Sequence, residues 1–328
     1  MSAPRDHAAA ALPLGLEVAS RWRWAKLLWL GTMTWIVAVA ALGITQDPNL
    51  VPLTVMTGSF VVPVSGAVYV FDRLYDSAFP RIKIVEAFAL GGTLGLFLAV
   101  LGEYLLLGNG ALQYFGVGLI EEAAKLVALW LVARRLGRYS IRDGIVLGVA
   151  VGFGFASLES SGYALVALFG PNGLQLQNMI GTVLERGLLA PVGHGLWTGI
   201  LGGVLFMAAR GGRLRLTRSV VSTYFFVALL HAVFDSSSGI GALVVGLFTD
   251  NASHWKVLLA GEIPVQMKSD LTLFTVSSIA CVVLVSLVGI YAMARLWRLA
   301  TAPGAQLGVT ETERRGAWTI ADQPHPAA

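Results

Sequence analysis

Two carboxylates and an ammonium stand close together in Glu121-Glu122-Ala123-Ala124-Lys125. On a helix, Lys125 is four residues from Glu121 and three from Glu122, so it neutralises one carboxylate and leaves the other in excess. An excess carboxylate in a low-dielectric setting holds a proton or a cation, and either state suits proton transfer. Farther along, Phe155-Ala156-Ser157-Leu158-Glu159 adds a carboxylate with no basic neighbour on its own helix. Its partner has to come from another element. His194 lies in Gly193-His194-Gly195, just after Pro191. His231-Ala232-Val233-Phe234-Asp235 sets an imidazole and a carboxylate one helical turn apart, where the carboxylate fixes the ring tautomer and raises its basicity. Each group also has a plainer reading: an ion pair locking helices, a protonated Glu159 on a backbone carbonyl, a hydrogen-bonded core histidine, a structural His–Asp pair.

These residues lie in segments where ionisable groups are expensive. The chain of 328 residues is 56% apolar and only 13% charged, against about 25% charged in an ordinary soluble domain. Apolar runs long enough to cross about 30 Å of hydrocarbon recur at 24–44, 51–71, 84–107, 112–133, 144–169, 179–209, 219–246 and 271–295. The two longest are expected to tilt, break or contain an interfacial part. Nineteen of the 23 Lys and Arg residues fall before or at the start of the first run, in alternate connections after it, or on the C-terminal side of the last run. The intervening connections hold only Lys256 and Lys268, while Lys125 and Arg186 lie inside runs. This positive-inside asymmetry predicts an all-α, polytopic bundle of about eight transmembrane helices with both termini in the cytoplasm. It also explains the net charge of +4 without nucleic acid. Residues 1–20 and 300–328 read as cytoplasmic tails around a transmembrane domain at 21–299, with its chemical core at 112–246. Arg21, Arg23 and Lys26 precede a first apolar run that is long for a signal peptide, so it is read as an uncleaved helix. Cys281 has no second cysteine to pair with.

Depth ties the polar residues together. At 1.5 Å per residue, Glu122 and Glu159 lie about 15 Å from the outer boundary, His194 about 22 Å and His231 about 23 Å. A water-containing polar cavity is the simplest way to house Glu, Glu, His and His-Asp on four consecutive spans. Glu86 and Glu103, near span ends, are expected to snorkel or pair locally, and Glu185 with Arg186 to form a salt bridge or touch a ligand. Two imidazoles and a carboxylate form a three-ligand set, so His194, His231 and Glu159 are expected to hold a divalent metal, with zinc the expected ion. Glu122 then acts on water and Asp235 orients His231. A metal-free alternative stays open, with Glu122 and Glu159 activating water and His231 with Asp235, or His194, steadying an oxyanion. No HExxH or GxSxG motif is present, and Asp235 is the only aspartate deep in a span.

The order Glu121-Glu122-x-x-Lys125, Phe155-x-x-x-Glu159 and His231-x-x-x-Asp235 on successive helices resembles the motifs of PrsW-type intramembrane proteases, relatives of the CAAX-processing and bacteriocin-immunity membrane proteases. Glu159 and Lys125 stand where the CAAX-processing relatives have histidine and arginine, which favours the PrsW branch. The resemblance covers roughly residues 112–246. It implies a multi-pass protease of the cell membrane, metallopeptidase-like, acting on membrane-anchored proteins such as anti-sigma factors. It makes Glu121, Glu122, Lys125, Glu159, His231 and Asp235 the catalytic candidates. Together with the depth of Glu122 and Glu159, it implies cleavage near the outer side of the membrane. A proton- or cation-coupled transporter and a catalytically silent scaffold are the competing readings, since buried Glu, His and Asp also build proton relays.

Overall fold

A computed structural model of the chain describes residues 22–75, 79–108, 113–170, 173–248 and 268–302. The helices are α1 (Arg23–Thr45), α2 (Val51–Leu74), α3 (Ile82–Leu90), α4 (Leu96–Leu106), α5 (Gln113–Ala133), α6 (Ile141–Leu168), α7 (Leu176–Leu189), α8 (His194–Met207), α9 (Arg218–Asp235), α10 (Ser237–Phe248) and α11 (Lys268–Thr301). A two-stranded antiparallel hairpin, β1 (Phe169–Gly170) and β2 (Gly173–Leu174), joins α6 to α7. Among the described residues, seven helical stretches are long and apolar enough to cross a membrane. The chain is therefore an all-α, polytopic membrane bundle. α5 has 21 residues, a length that spans about 30 Å. Glu121, Glu122 and Lys125 interrupt its apolar run.

Both of the longest apolar runs break. The run at 179–209 is two helices, α7 and α8, separated by a 3-10 turn at Ala190–Val192 and by Gly193. Pro191 inside that turn cannot continue the ladder of α7. The run at 219–246 stops at Asp235. Ser236 caps the helix, and its hydroxyl donates to the Ala232 carbonyl at 2.5 Å. The Ser236-Ser237-Ser238 sequence supplies hydroxyls that compete with the backbone for such bonds. The third run also deviates, through a π-helical turn at Gly91–Gly95 between α3 and α4. The last helix continues to Thr301, past the expected start of the tail at 300. There Arg142 Nε donates to the Ala300 carbonyl at 2.7 Å. Tail residues 1–20 and 303–328 lie outside the described residues.

α6 is the axis of the bundle. Ser140 caps its start, accepting from the Asp143 amide at 3.1 Å. Glycines then set how closely its neighbours approach. A Cβ at Gly144, Gly148 or Gly152 would collide with the carbonyl oxygens of Gly202, Thr198 and His194 on α8. A Cβ at Gly154 would collide with the Phe88 carbonyl of α3, and one at Gly91 with the Val151 carbonyl. Without side chains between them, the backbones of α6, α8 and α3 touch directly, as small residues allow in membrane helix packing. Leu147, Val151, Trp197, Leu201 and Phe206 fill the core beside this seam. Exposed apolar side chains such as Val37, Phe97 and Leu284 face outward, where lipid is the solvent.

Candidate functional site

Four helices supply the polar cluster, and their close packing fixes its geometry. α5 approaches α9 at Gly118, where a Cβ would lie 2.5 Å from the Ala228 carbonyl and 3.1 Å from the Ala232 amide. That contact is about one turn from Glu121 and Glu122 on one side and within a turn of His231 on the other. α6 meets α8 at Gly152, beneath the main chain of His194.

Lys125 is the hub. It is fully buried, and its Nζ donates to Glu121 Oε2 at 3.0 Å and Glu122 Oε1 at 2.9 Å. The same nitrogen lies 2.8 Å from His194 Nδ1 and 4.0 Å from the centre of the Phe155 ring. The ammonium thus has three polar neighbours and an aromatic face, which accounts for its presence in an apolar interior. His231 is also fully buried, with Nδ1 3.1 Å from Glu122 Oε1. Its Nε2 lies 3.1 Å from Asp235 Oδ2 and 3.6 Å from Glu121 Oε2, yet makes no hydrogen bond. On the other side, His194 Nε2 is 3.0 Å from Glu159 Oε2, which also accepts from Arg186 on α7. Arg186 Nε donates to Ser160 Oγ at 2.8 Å. The two imidazole rings are 4.9 Å apart.

A cavity of about 510 Å³ opens against this cluster. Glu103, Glu121, Glu159, His194, Trp197 and Asp235 are among its lining residues. Glu122, Lys125 and His231 lie behind the wall.

The structure brings together all seven residues singled out in the sequence: Glu121, Glu122, Lys125, Glu159, His194, His231 and Asp235. It arranges two of them differently from expectation. The orienting contact on His231 Nδ1 comes from Glu122, not Asp235. Among the described residues, the three donors lying within 4.8 Å of one another are Glu121, His194 and His231, rather than the expected set with Glu159. Glu159 instead sits against Arg186, the interhelical partner its own helix lacked. Glu86 pairs locally with Lys83 at 2.5 Å, as expected, whereas Glu103 reaches the cavity wall. Sequence reasoning missed Trp197 and the aromatic floor that Phe155 gives Lys125. Trp197 carries one signal, its position three residues after His194 on the same helical face.

A family model described as PrsW family intramembrane metalloprotease matches residues 80–260, a stretch containing every residue of the cluster. Protease PrsW of Halalkalibacterium halodurans is 30% identical over 159 residues, covering 47% of this chain and 68% of that protein. No solved structure matches the chain.

Proposed function

This chain belongs to the PrsW family of intramembrane metalloproteases, and from that premise we propose that it hydrolyses a peptide bond in a membrane-anchored protein, with Glu121, His194 and His231 holding a divalent cation and Glu159 accepting a proton from the attacking water. Anti-sigma-factor-like proteins with a single span are the substrate class, cut near the outer side of the membrane.

The observation that carries this reading is the charge balance of the cluster. Among the described residues, Glu121, Glu122, Glu159 and Asp235 pair with two Lys and Arg side chains, Lys125 and Arg186, which leaves two formal negative charges at the cavity when both histidines are neutral. A divalent cation offsets that excess, and the donors fit one. Two imidazoles and a carboxylate converge, and His231 Nε2 is buried without a hydrogen bond. A cation bound there would polarise the scissile carbonyl and acidify water.

The remaining chemistry belongs to the chain. Glu122 Oε1, fixed by Lys125, orients His231 through Nδ1 and leaves Nε2 available, the arrangement usual for metal-ligating histidines. Because Glu122 lies behind the cavity wall, it positions rather than acts as the base. Glu159 reaches the cavity. Its Oε2 is committed to Arg186 and His194, so Oε1 is the oxygen that takes the proton. Both ring nitrogens of His194 already have neighbours, so His194 would exchange its contact with either Lys125 or Glu159 to hold a cation.

Elemental analysis of purified, active protein tests the assignment, alongside cleavage of a single-span reporter protein in liposomes. One zinc or other divalent ion per chain is expected in the wild type, lost in His194→Ala, His231→Ala and Glu121→Gln. Glu159→Gln should keep the ion and lose cleavage. Full activity well below one metal per chain, unaffected by strong chelators, would eliminate the cation.

A further inference from the structure

Peptide hydrolysis places negative charge on the carbonyl oxygen as water adds, and an enzyme gains most from a donor already aimed at that oxygen. The cationic donors near the cavity are engaged. Lys125 serves Glu121 and Glu122 and lies beside His194, and Arg186 serves Glu159 and Ser160. The carboxylates can only accept, and would repel a developing oxyanion.

Trp197 differs from all of these. It lines the cavity, its side chain is fully buried, and its Nε1 has no hydrogen-bond acceptor. Its ring lies 4.8 Å from that of His231 at 30° and 5.5 Å from that of His194 at 83°, so the indole is wedged against both imidazoles. A buried donor left unpaired calls for an explanation, because nearly all such groups in folded proteins find a partner. We propose that the indole N–H of Trp197 donates to the carbonyl oxygen of the scissile peptide and strengthens that bond as the oxygen takes up the electron pair. The inference rests on reading this cavity as the hydrolytic site. Trp197 is then a catalytic residue contributed by the first turn of α8, one turn after His194.

Replacing Trp197 with benzothienylalanine tests it, because sulfur takes the place of the N–H while the fused ring keeps its shape. With a fluorescent single-span reporter in liposomes, kcat should fall about 10²-fold, the effect of losing one oxyanion donor. KM and metal content should stay within about twofold, since the bond is made in the transition state. Trp197→Phe, which also lacks the N–H, should fall alongside it. A fall of less than tenfold would overturn the proposal. So would a loss of metal, which would show that the indole merely holds the histidines. Failure of the wild-type chain to cut any reporter would sink the hydrolytic reading and the donor role with it. Wild-type turnover with an unimpaired benzothienylalanine variant would sink the donor role alone.

Discussion

Replacing Lys125 with Met removes the hub of the cluster while keeping a long apolar side chain over the Phe155 ring. The wild-type ammonium serves two carboxylates, at 3.0 and 2.9 Å, with no exposure to solvent. Hydrogen bonds to charged groups contribute about 1.5–3 kcal/mol each, but the ammonium's own desolvation offsets much of the gain. Breaking a buried pair by removing one partner costs about 3–5 kcal/mol, because the survivor is left uncompensated. Here two carboxylates are stranded, so Lys125→Met should lose that much stability in SDS-driven unfolding from mixed micelles. The triple variant Glu121→Gln/Glu122→Gln/Lys125→Met removes the stranded charges and should recover at least half of the loss. If Lys125→Met loses less than about 1 kcal/mol, or the triple variant is no more stable than the single one, the ammonium is not the electrostatic keystone of the cluster.

Other predictions test the frame. Gly148→Ala should destabilise the bundle markedly and depress activity, since the added Cβ meets the Thr198 carbonyl, whereas Gly162→Ala, on the same helix with nothing within 4 Å, should be neutral or stabilising by up to about 1 kcal/mol in the same unfolding titration. In a Cys281→Ala background, single cysteines at Asn49 and Gln175 should react with an impermeant thiol reagent added outside the cell, and ones at Arg138 and Arg213 should not; the opposite pattern would invert the topology. Mass spectrometry of the cleaved reporter should place the cut on the outer side of its span, and a cut in the cytoplasmic juxtamembrane segment would contradict the assigned depth.

The membrane-spanning character and the membership of the cluster were both legible in the sequence, because ionisable residues in apolar runs stand out and helical spacing places Lys125 beside its glutamates. Rotation about the helix axis was not legible. Glu121 and Glu122 point about 100° apart on α5, and which of them meets the cavity depends on how Gly118 seats α5 against α9. The second partner of His231 was hidden for the same reason. Asp235 is visible at four residues' distance, whereas Glu122 arrives from another helix. A break was one of the outcomes expected of the two longest runs, but its position was not legible, because hydropathy continues across Pro191 and Ser236. Trp197 escaped because an aromatic residue in an apolar helix ordinarily means core.

The glycine seam has a mechanical consequence. The carbonyl that meets Gly152 is that of His194 itself, so the residue whose ring enters the cluster has its main chain clamped against α6. A joint of backbone on backbone has no rotamers through which to creep, and ordering it costs no side-chain entropy. Positional tolerance at a catalytic centre is about 0.5 Å. Here that tolerance is set like a machined bearing, by main-chain atoms that no side-chain rearrangement can loosen.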